Sequence, residues 1–367
     1  MKIIYLYDSL AIWGGIERVL IDKMNYLVSI DGFEVYVATA NQGNHPIPYQ
    51  MDKRIHHIDF NIGIHNKYRY AGIKRLQEGR RLNKLYRSSL KALLSDVKPD
   101  ILICTASQDV CSLLKIKGSI PLLVESHANF IHPDKIWRKL KMLINNFWIG
   151  KANSVITLTE GDARSWRKVS KDVHVIPNIV HLNDTGRLSD CSSKRAIFVG
   201  RFAHQKGIGL LYDMWSEIHK RHSDWQLDMY GDGEEWDYYY EKSRLDNINI
   251  NVYKPVSDIF RKYQDASMLL MTSLYEPFGL VMPEAMSCGL PVVAFDCPYG
   301  PGEMIKDNKN GYLIKMGDKE GFIDSVCSLI TNTELRQQMG NVARQSVDRY
   351  SANNILPLWL ELFKSFR

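Results

Sequence analysis

The sequence contains no run of about 20 uninterrupted apolar residues, so no segment reads as a membrane-spanning helix. Its six cysteines, Cys104, Cys111, Cys191, Cys288, Cys297 and Cys327, are widely spaced and form no C-x-x-C pair. They read as buried, reduced thiols of a cytosolic protein rather than as a disulfide framework. A G-x-x-x-x-G-K-[ST] string is missing, which excludes a Walker phosphate loop, and no complete G-x-G-x-x-G supports a dinucleotide fingerprint. No strict D-x-D triplet occurs, so a metal held by that motif is not expected. Internal repeats of solenoid length and low-complexity tracts are lacking too. Charge is not lopsided: the net +6 suits an anionic partner such as a nucleotide, a phospholipid or an acidic glycan, and calls for no nucleic acid. The opening MKIIYLYDSLAIWGG is not read as a signal peptide, because Asp8 breaks the apolar stretch and a glycine pair precedes a helical pattern; it reads as a first buried strand.

What is present is a globular α/β pattern. With 367 residues, 45% hydrophobic and 24% charged, the chain is too long for one ordinary core and predicts two domains. Short aliphatic runs recur at Lys2–Tyr7, Glu34–Thr39, Ile101–Cys104, Leu122–Glu125, Ser154–Leu158 and Val173–Ile176. A second series runs through Ala196–Val199, Gln226–Tyr230, Ile248–Val252, Met268–Thr272 and Pro291–Ala294. Such runs are what parallel strands buried on both faces look like. Amphipathic stretches lie between them, for example Glu17–Ser29, Lys74–Asp96 and Gly209–His219, so the pattern predicts a doubly wound sheet made twice. Residues 1–180 form the first expected domain and 195–350 the second, with the polar HLNDTGRLSDCSSK at 181–194 as linker. The apolar, helical-period stretch 351–367 is expected to fold back onto the first domain.

Two constellations sit at predicted strand ends of the second domain. In LYEPFGLVMPEAMSCG (274–289), Pro283 is tolerated only in the first turn of a helix, so the helix starts near Gly279 or Leu280. Its free amides and positive dipole end then make a diphosphate cradle. Glu284, in the first turn, either accepts ribose hydroxyls or merely complements the dipole. Glu276 either faces the sugar end of such a ligand or is a turn residue. In VGRFAHQKG, Gly200 ends a strand and Arg201 and Lys206 follow; the pair suits a pyrophosphate, or it is a solvated basic loop. Gly231-Asp232-Gly233 forms a third strand-end turn.

Taken together, EPFGLVMPEAMSCGLPVVAFD with its E-x7-E pair Glu276/Glu284, VGRFAHQKG, MYGDGEE, the early WGGIERVL and the IPN at 176–178 resemble glycosyltransferase family 4 over nearly the whole chain. The resemblance implies the GT-B fold: two Rossmann-like doubly wound parallel-sheet domains facing across a cleft, acceptor on the first and donor on the second. It implies that Arg201 and Lys206 hold the donor diphosphate, that Glu284 binds ribose, that Glu276 contacts the donor sugar, and that the backbone of Phe278, Gly279, Leu280 and Val281 contacts sugar and phosphate. It also implies retention at the anomeric carbon. DCPYGPGEMI (296–305) resembles a stretch of members that build surface glycans from UDP-linked hexoses or N-acetylhexosamines, which makes a UDP-sugar the expected donor and GDP the next. Lys254, Pro255 and Val256, where a strand ends, are the expected base-reading residues.

In the first domain, Gly14 and Gly15 allow close backbone approach, and Glu17 opens the helix behind them. His127 follows the strand LLVE and matches a histidine of the family, so it joins Glu276, Arg201 and Lys206 as a candidate catalytic residue. Glu160 is either a site residue or part of a helix cap with Thr159. The leaving group is a nucleoside diphosphate, whose charge Arg201, Lys206 and the helix amides can stabilise without a metal or other cofactor. Lys67–Lys91 carries nine cations against Glu78 and an apolar side of Ile73, Leu76, Leu82, Leu85, Leu90, Leu93 and Leu94; Lys135–Lys151 adds a second basic stretch with Trp137 and Trp148. Both read either as solvated helices packed on a sheet or as contacts with an anionic membrane surface. The expected acceptor is a saccharide, lipid-linked, at the inner face of the membrane. A non-catalytic nucleotide-sugar-binding protein is the alternative, and an NAD-dependent dehydrogenase is disfavoured because Gly14-Gly15 is followed by Ile16-Glu17.

Overall fold

The computed structural model describes residues 1–127 and 136–366. They form two compact units, residues 1–179 with 355–367, and residues 180–354.

The first unit is built on a seven-stranded sheet of β1 (Lys2–Tyr7), β2 (Glu34–Thr39), β3 (His56–Asp59), β4 (Ile101–Thr105), β5 (Leu122–Ser126), β6 (Ser154–Thr157) and β7 (Val173–Val175), in the order β3-β2-β1-β4-β5-β6-β7. Every pairing is parallel, with β1 in register from Lys2↔Glu34 to Tyr7↔Thr39 on one side and from Ile3↔Ile101 on the other. Central strands buried on both faces need aliphatic residues at successive positions, and Ile3–Leu6 and Ile101–Cys104 supply them. Ile4, Leu6, Leu102 and Val124 pack with Leu90, Leu94 and Trp166 into one core.

The second unit repeats the design with β8 (Arg195–Val199), β9 (Gln226–Tyr230), β10 (Ile250–Tyr253), β11 (Met268–Met271), β12 (Val292–Phe295) and β13 (Gly311–Ile314), all parallel, in the order β10-β9-β8-β11-β12-β13. Its core centres on Trp215, Phe198, Phe202, Met229, Phe295 and Phe322. β3 and β13 were not expected from the sequence. Both are edge strands: HHID has no apolar run, and GYLI offers only three apolar residues behind a glycine.

The polar stretch 181–194 is built into the second unit. Asn183 N–H donates to Ser287 Oγ at 2.9 Å, Ser189 N–H to the Cys288 carbonyl at 2.9 Å, and Arg336 Nε to the Cys191 carbonyl at 3.0 Å. The unit boundary therefore falls at Ile179/Val180, ahead of the expected linker. The last helix, Ala352–Lys364, belongs to the first unit from Ile355 on, where Phe363 meets Phe33 at 6.3 Å between ring centres.

Candidate functional site

In the second unit, β8 leads into Gly200 and Arg201, β9 into Gly231–Gly233, β10 into Lys254–Val256, and β11 into the segment bearing Glu276. These strands are neighbours, and chain order reverses between β8 and β11, which is where an open α/β sheet forms a crevice at its carboxyl edge.

The loop after β8 is fastened to the segment after β11. Leu274 N–H donates to the Gln205 carbonyl at 2.8 Å, and the Gln205 side-chain amide donates to the Tyr275 carbonyl at 3.1 Å. The Thr272 hydroxyl lies 3.1 Å from the carbonyls of both Lys206 and Gly207. Gly207 itself is left-handed at φ +64°, and a Cβ there would lie 2.2 Å from the Thr272 carbonyl oxygen, so only glycine fits. The consequence is an ion pair between Lys206 Nζ and the Glu276 carboxylate, with side chains 17% and 9% exposed. Ser273 Oγ donates to the same Glu276 oxygen at 3.3 Å. The Glu276 backbone is clamped by the segment after β12: its N–H donates to the Pro298 carbonyl at 2.8 Å and its carbonyl accepts from Gly300 N–H at 2.8 Å.

Beyond Gly279 comes the helix Val281–Ser287 with Leu280 as its cap, as the position of Pro283 requires. Glu284 sits in its first turn, 3% exposed, with the Tyr263 hydroxyl 3.4 Å from its carboxylate. The Phe278 ring is buried edge-on against Tyr350, which leaves only its backbone for a ligand. Arg201 is exposed and makes no ion pair among the described residues. A Cβ on Gly231 would fall 1.8 Å from the Gly200 carbonyl oxygen, so two glycines let the β8 and β9 turns touch. Lys254, exposed with Pro255 and Val256, donates to Asp232 at 2.9 Å and lies 3.5 Å above the Trp236 ring. The hydrogen bond from Lys254 is the main cause holding the Asp232 carboxyl below its usual range.

The first unit holds a separate cluster at the ends of β1 and β5. Gly14 caps the helix Gly15–Val28; its carbonyl accepts from the Tyr49 hydroxyl at 3.1 Å, and Gly15 is exposed. Glu17, buried beneath them, accepts from the Tyr7 hydroxyl at 2.8 Å. Burial first, and Glu17 second, push that hydroxyl's pKa up. His127, buried, places Nε2 2.7 Å from one oxygen of Glu125, and the other oxygen pairs with the Lys23 ammonium. Lys23 lies over the Trp359 ring at 4.1 Å and the Tyr5 ring at 5.2 Å. Burial alone would raise the Glu125 carboxyl, but Lys23 and the His127 hydrogen bond outweigh it and bring it to about 2. Burial lowers the Lys23 ammonium's pKa, with Glu125 opposing.

Lys23, Glu125, Ser273 and Trp359 were not anticipated. The available signal for Lys23 was its place on the buried stripe Leu20, Lys23, Met24, Leu27, where a solvated lysine does not belong. Glu160 is exposed and paired with Arg167, while the Thr159 hydroxyl accepts from Asp162 N–H at 3.2 Å, so this turn is a helix cap with a surface ion pair.

The basic helix Gly72–Val97 divides its expected apolar side. Leu82, Leu90, Leu93 and Leu94 are buried, whereas Ile73, Leu76 and Leu85 are exposed; it is the C-terminal part of the helix, through Leu90, Leu93, Leu94 and Val97, that joins the core. On the helix Ile136–Ile149, Leu140, Leu143, Ile144 and Phe147 form an i, i+3, i+4, i+7 stripe that is 50–59% exposed, while Asn146 and Ile149 are buried. Lys135 and the side chain of Trp137 lie outside the described residues. Among the described residues no helix is long and apolar enough to cross a membrane, and no group of three or more His, Cys, Asp or Glu could hold a metal ion.

Two family profiles cover the chain in succession: Glycosyltransferase Family 4 matches residues 13–184, and Glycosyl transferases group 1 matches residues 184–346. The amylovoran biosynthesis glycosyltransferase AmsD of Erwinia amylovora is 29% identical over 98% of this chain and 99% of its own. The poly(ribitol-phosphate) alpha-N-acetylglucosaminyltransferase of Staphylococcus aureus is 30% identical over 287 residues, 75% of this chain and 57% of that one. Among solved structures, S. aureus TarM in complex with fondaparinux, alpha-GlcNAc-glycerol and UDP superposes with a TM-score of 0.81 over 99% of both chains, at 20% identity.

Proposed function

The chain belongs to glycosyltransferase family 4, enzymes of the GT-B fold, and from that premise we propose that it moves a hexose or N-acetylhexosamine from a UDP-sugar, with retention, to a lipid-linked saccharide in surface-polysaccharide synthesis. The observation that carries this reading is the Lys206–Glu276 pair at the β8/β11 reversal. The donor diphosphate lies across Arg201, Lys206 and the first turn of Val281–Ser287, where cations and amide dipoles stabilise charge on the departing phosphate. Glu284 takes the ribose hydroxyls, and Glu276, held at its backbone, meets the sugar. Lys254–Val256 lie toward the base. On the first unit, His127, Gly14 and Gly15 are the candidates for a part in transfer. The bond from the anomeric carbon to the phosphate oxygen breaks, the bond to the acceptor oxygen forms, and the acceptor's proton leaves with the nucleoside diphosphate. The UDP bound in TarM and the amylovoran-biosynthesis role in the name of AmsD support the donor and acceptor classes.

Arg201 and Lys206 supply the positive charge that a metal provides elsewhere, so turnover should survive EDTA. Transfer and hydrolysis measured against a panel of UDP- and GDP-sugars test the whole reading. Turnover of a UDP-hexose or UDP-N-acetylhexosamine to an α-linked product supports it; inverted product, or stabilisation by NAD alone, sinks it.

A membrane-bound acceptor fits the first unit. The exposed stripe of Ile136–Ile149 is flanked by exposed Lys141 and Lys151, and exposed Ile73 and Leu76 lie among Lys74, Arg75, Arg80 and Arg81. Apolar side chains ringed by cations suit the interface of an anionic bilayer, at the cytoplasmic face where nucleotide sugars are made. Failure to float with anionic vesicles at low salt counts against this part.

A further inference from the structure

We propose that Glu125, Lys23 and Trp359 are positioning residues for His127, fixing the proton on Nε2 so that Nδ1 is the nitrogen offered to the bound sugar. The inference rests on the reading that His127 takes part in transfer.

An ionised carboxylate only accepts hydrogen bonds, so His127 Nε2, 2.7 Å from Glu125, must be the donor. A neutral imidazole has one N–H, and Nδ1 is then its acceptor. The arrangement depends on Glu125 staying ionised while fully enclosed. Lys23 provides this, ion-paired to the second oxygen. If Glu125 were protonated, it could donate to Nε2 and drive the imidazole proton to Nδ1, reversing the polarity presented to a ligand. Lys23 is therefore the residue on which the tautomer turns.

A buried ammonium needs more than one partner. The Trp359 ring lies 4.1 Å below Nζ and offers the negative face of its π-system, with Tyr5 at 5.2 Å. Tyr5 and Cys104 are the remaining titratable groups beside Glu125, and both stay neutral because burial raises them. Trp359 belongs to the last helix, so the far end of the chain completes a cluster otherwise drawn from the first 127 residues.

Long-range proton–nitrogen correlation on histidine-labelled full-length protein reads the tautomer directly, with His127→Gln identifying the signal among the 11 histidines. The wild type should show Nε2–H, Glu125→Gln a mixture, and Lys23→Met predominantly Nδ1–H. Trp359→Leu should move part of the way and Trp359→Phe should restore the native pattern; this pair keeps the test alive if Lys23→Met does not fold. In donor turnover, kcat of Glu125→Gln should fall about 10- to 100-fold, as for other carboxylates that orient a histidine, with donor KM little changed. A wild-type Nδ1–H signal, or variants that leave the tautomer untouched, overturns the inference. A moved tautomer with unchanged turnover also overturns it. His127→Gln with full activity instead removes the underlying reading of His127.

Discussion

Lys206 and Glu276, 70 residues apart in sequence, form an ion pair because Thr272, Leu274 and Gln205 fasten their two loops together. If the donor diphosphate binds Lys206 as proposed, it competes with Glu276 for one ammonium, and donor binding should release the carboxylate toward the sugar. Lys206→Ala should lower kcat by about 100- to 1,000-fold, the usual cost of removing one stabiliser of transition-state charge. Lys206→Arg should retain part of the activity. Glu276→Gln should bind UDP nearly as well as wild type while turning over slowly. Steady-state kinetics with UDP thermal shifts decide it; a Glu276→Gln enzyme with normal kcat rejects the assignment.

Gly207 is a second point of dependence. Its left-handed backbone and the Thr272 carbonyl 2.2 Å from any Cβ combine strain with a clash. Gly207→Ala should cost about 2 kcal/mol or more of stability and weaken UDP binding with it. Urea denaturation measures the first quantity and calorimetric titration the second; an alanine variant of native stability would show that the two loops can separate freely.

How much of this was legible in the sequence varies by residue for physical reasons. Arg201, Lys206, Glu276 and Glu284 follow aliphatic runs, and in a parallel sheet the residues after such runs collect at one edge, so their neighbourhood could be read without coordinates. The partnership of Lys206 with Glu276 could not, because it depends on backbone bonds between distant loops. Lys23 and Glu125 are separated by 102 residues, and although Lys23 sits on the apolar stripe of its helix, nothing in the sequence pairs it with a strand-end acid. Their pairing becomes visible only when the helix is laid on the sheet. β3 escaped notice for a related reason: HHID has no aliphatic run to distinguish an edge strand from a loop.

Acid stability should report on Glu125. Its folded pKa, about 2, lies below the 4.5 of an unperturbed glutamate, so its contribution is fully present above about pH 4.5 and is lost as pH falls toward 2. Chemical denaturation of the wild type across that window should show the loss, and Glu125→Gln should be less stable at neutral pH with a flatter slope. Equal slopes for the two proteins would mean that folding does not lower the Glu125 carboxyl below its unfolded value.

The exposed stripe on Ile136–Ile149 leads to the last prediction. Leu143 and Phe147 are 59% and 55% exposed, so replacing both by serine removes little packing within the unit. In a bilayer interface each would bury about 1 kcal/mol of apolar surface, so Leu143→Ser with Phe147→Ser should weaken vesicle partitioning roughly 30-fold. The flanking Lys141 and Lys151 add an electrostatic part that fades as salt rises, so wild-type binding should fall with ionic strength and with the anionic lipid fraction. The double variant should keep its melting temperature and its turnover on a water-soluble acceptor while losing activity on a vesicle-borne one. Loss on both acceptors alike would place the stripe in the folding or the chemistry of the first unit, and unchanged flotation would show that the bilayer, if bound at all, is met elsewhere.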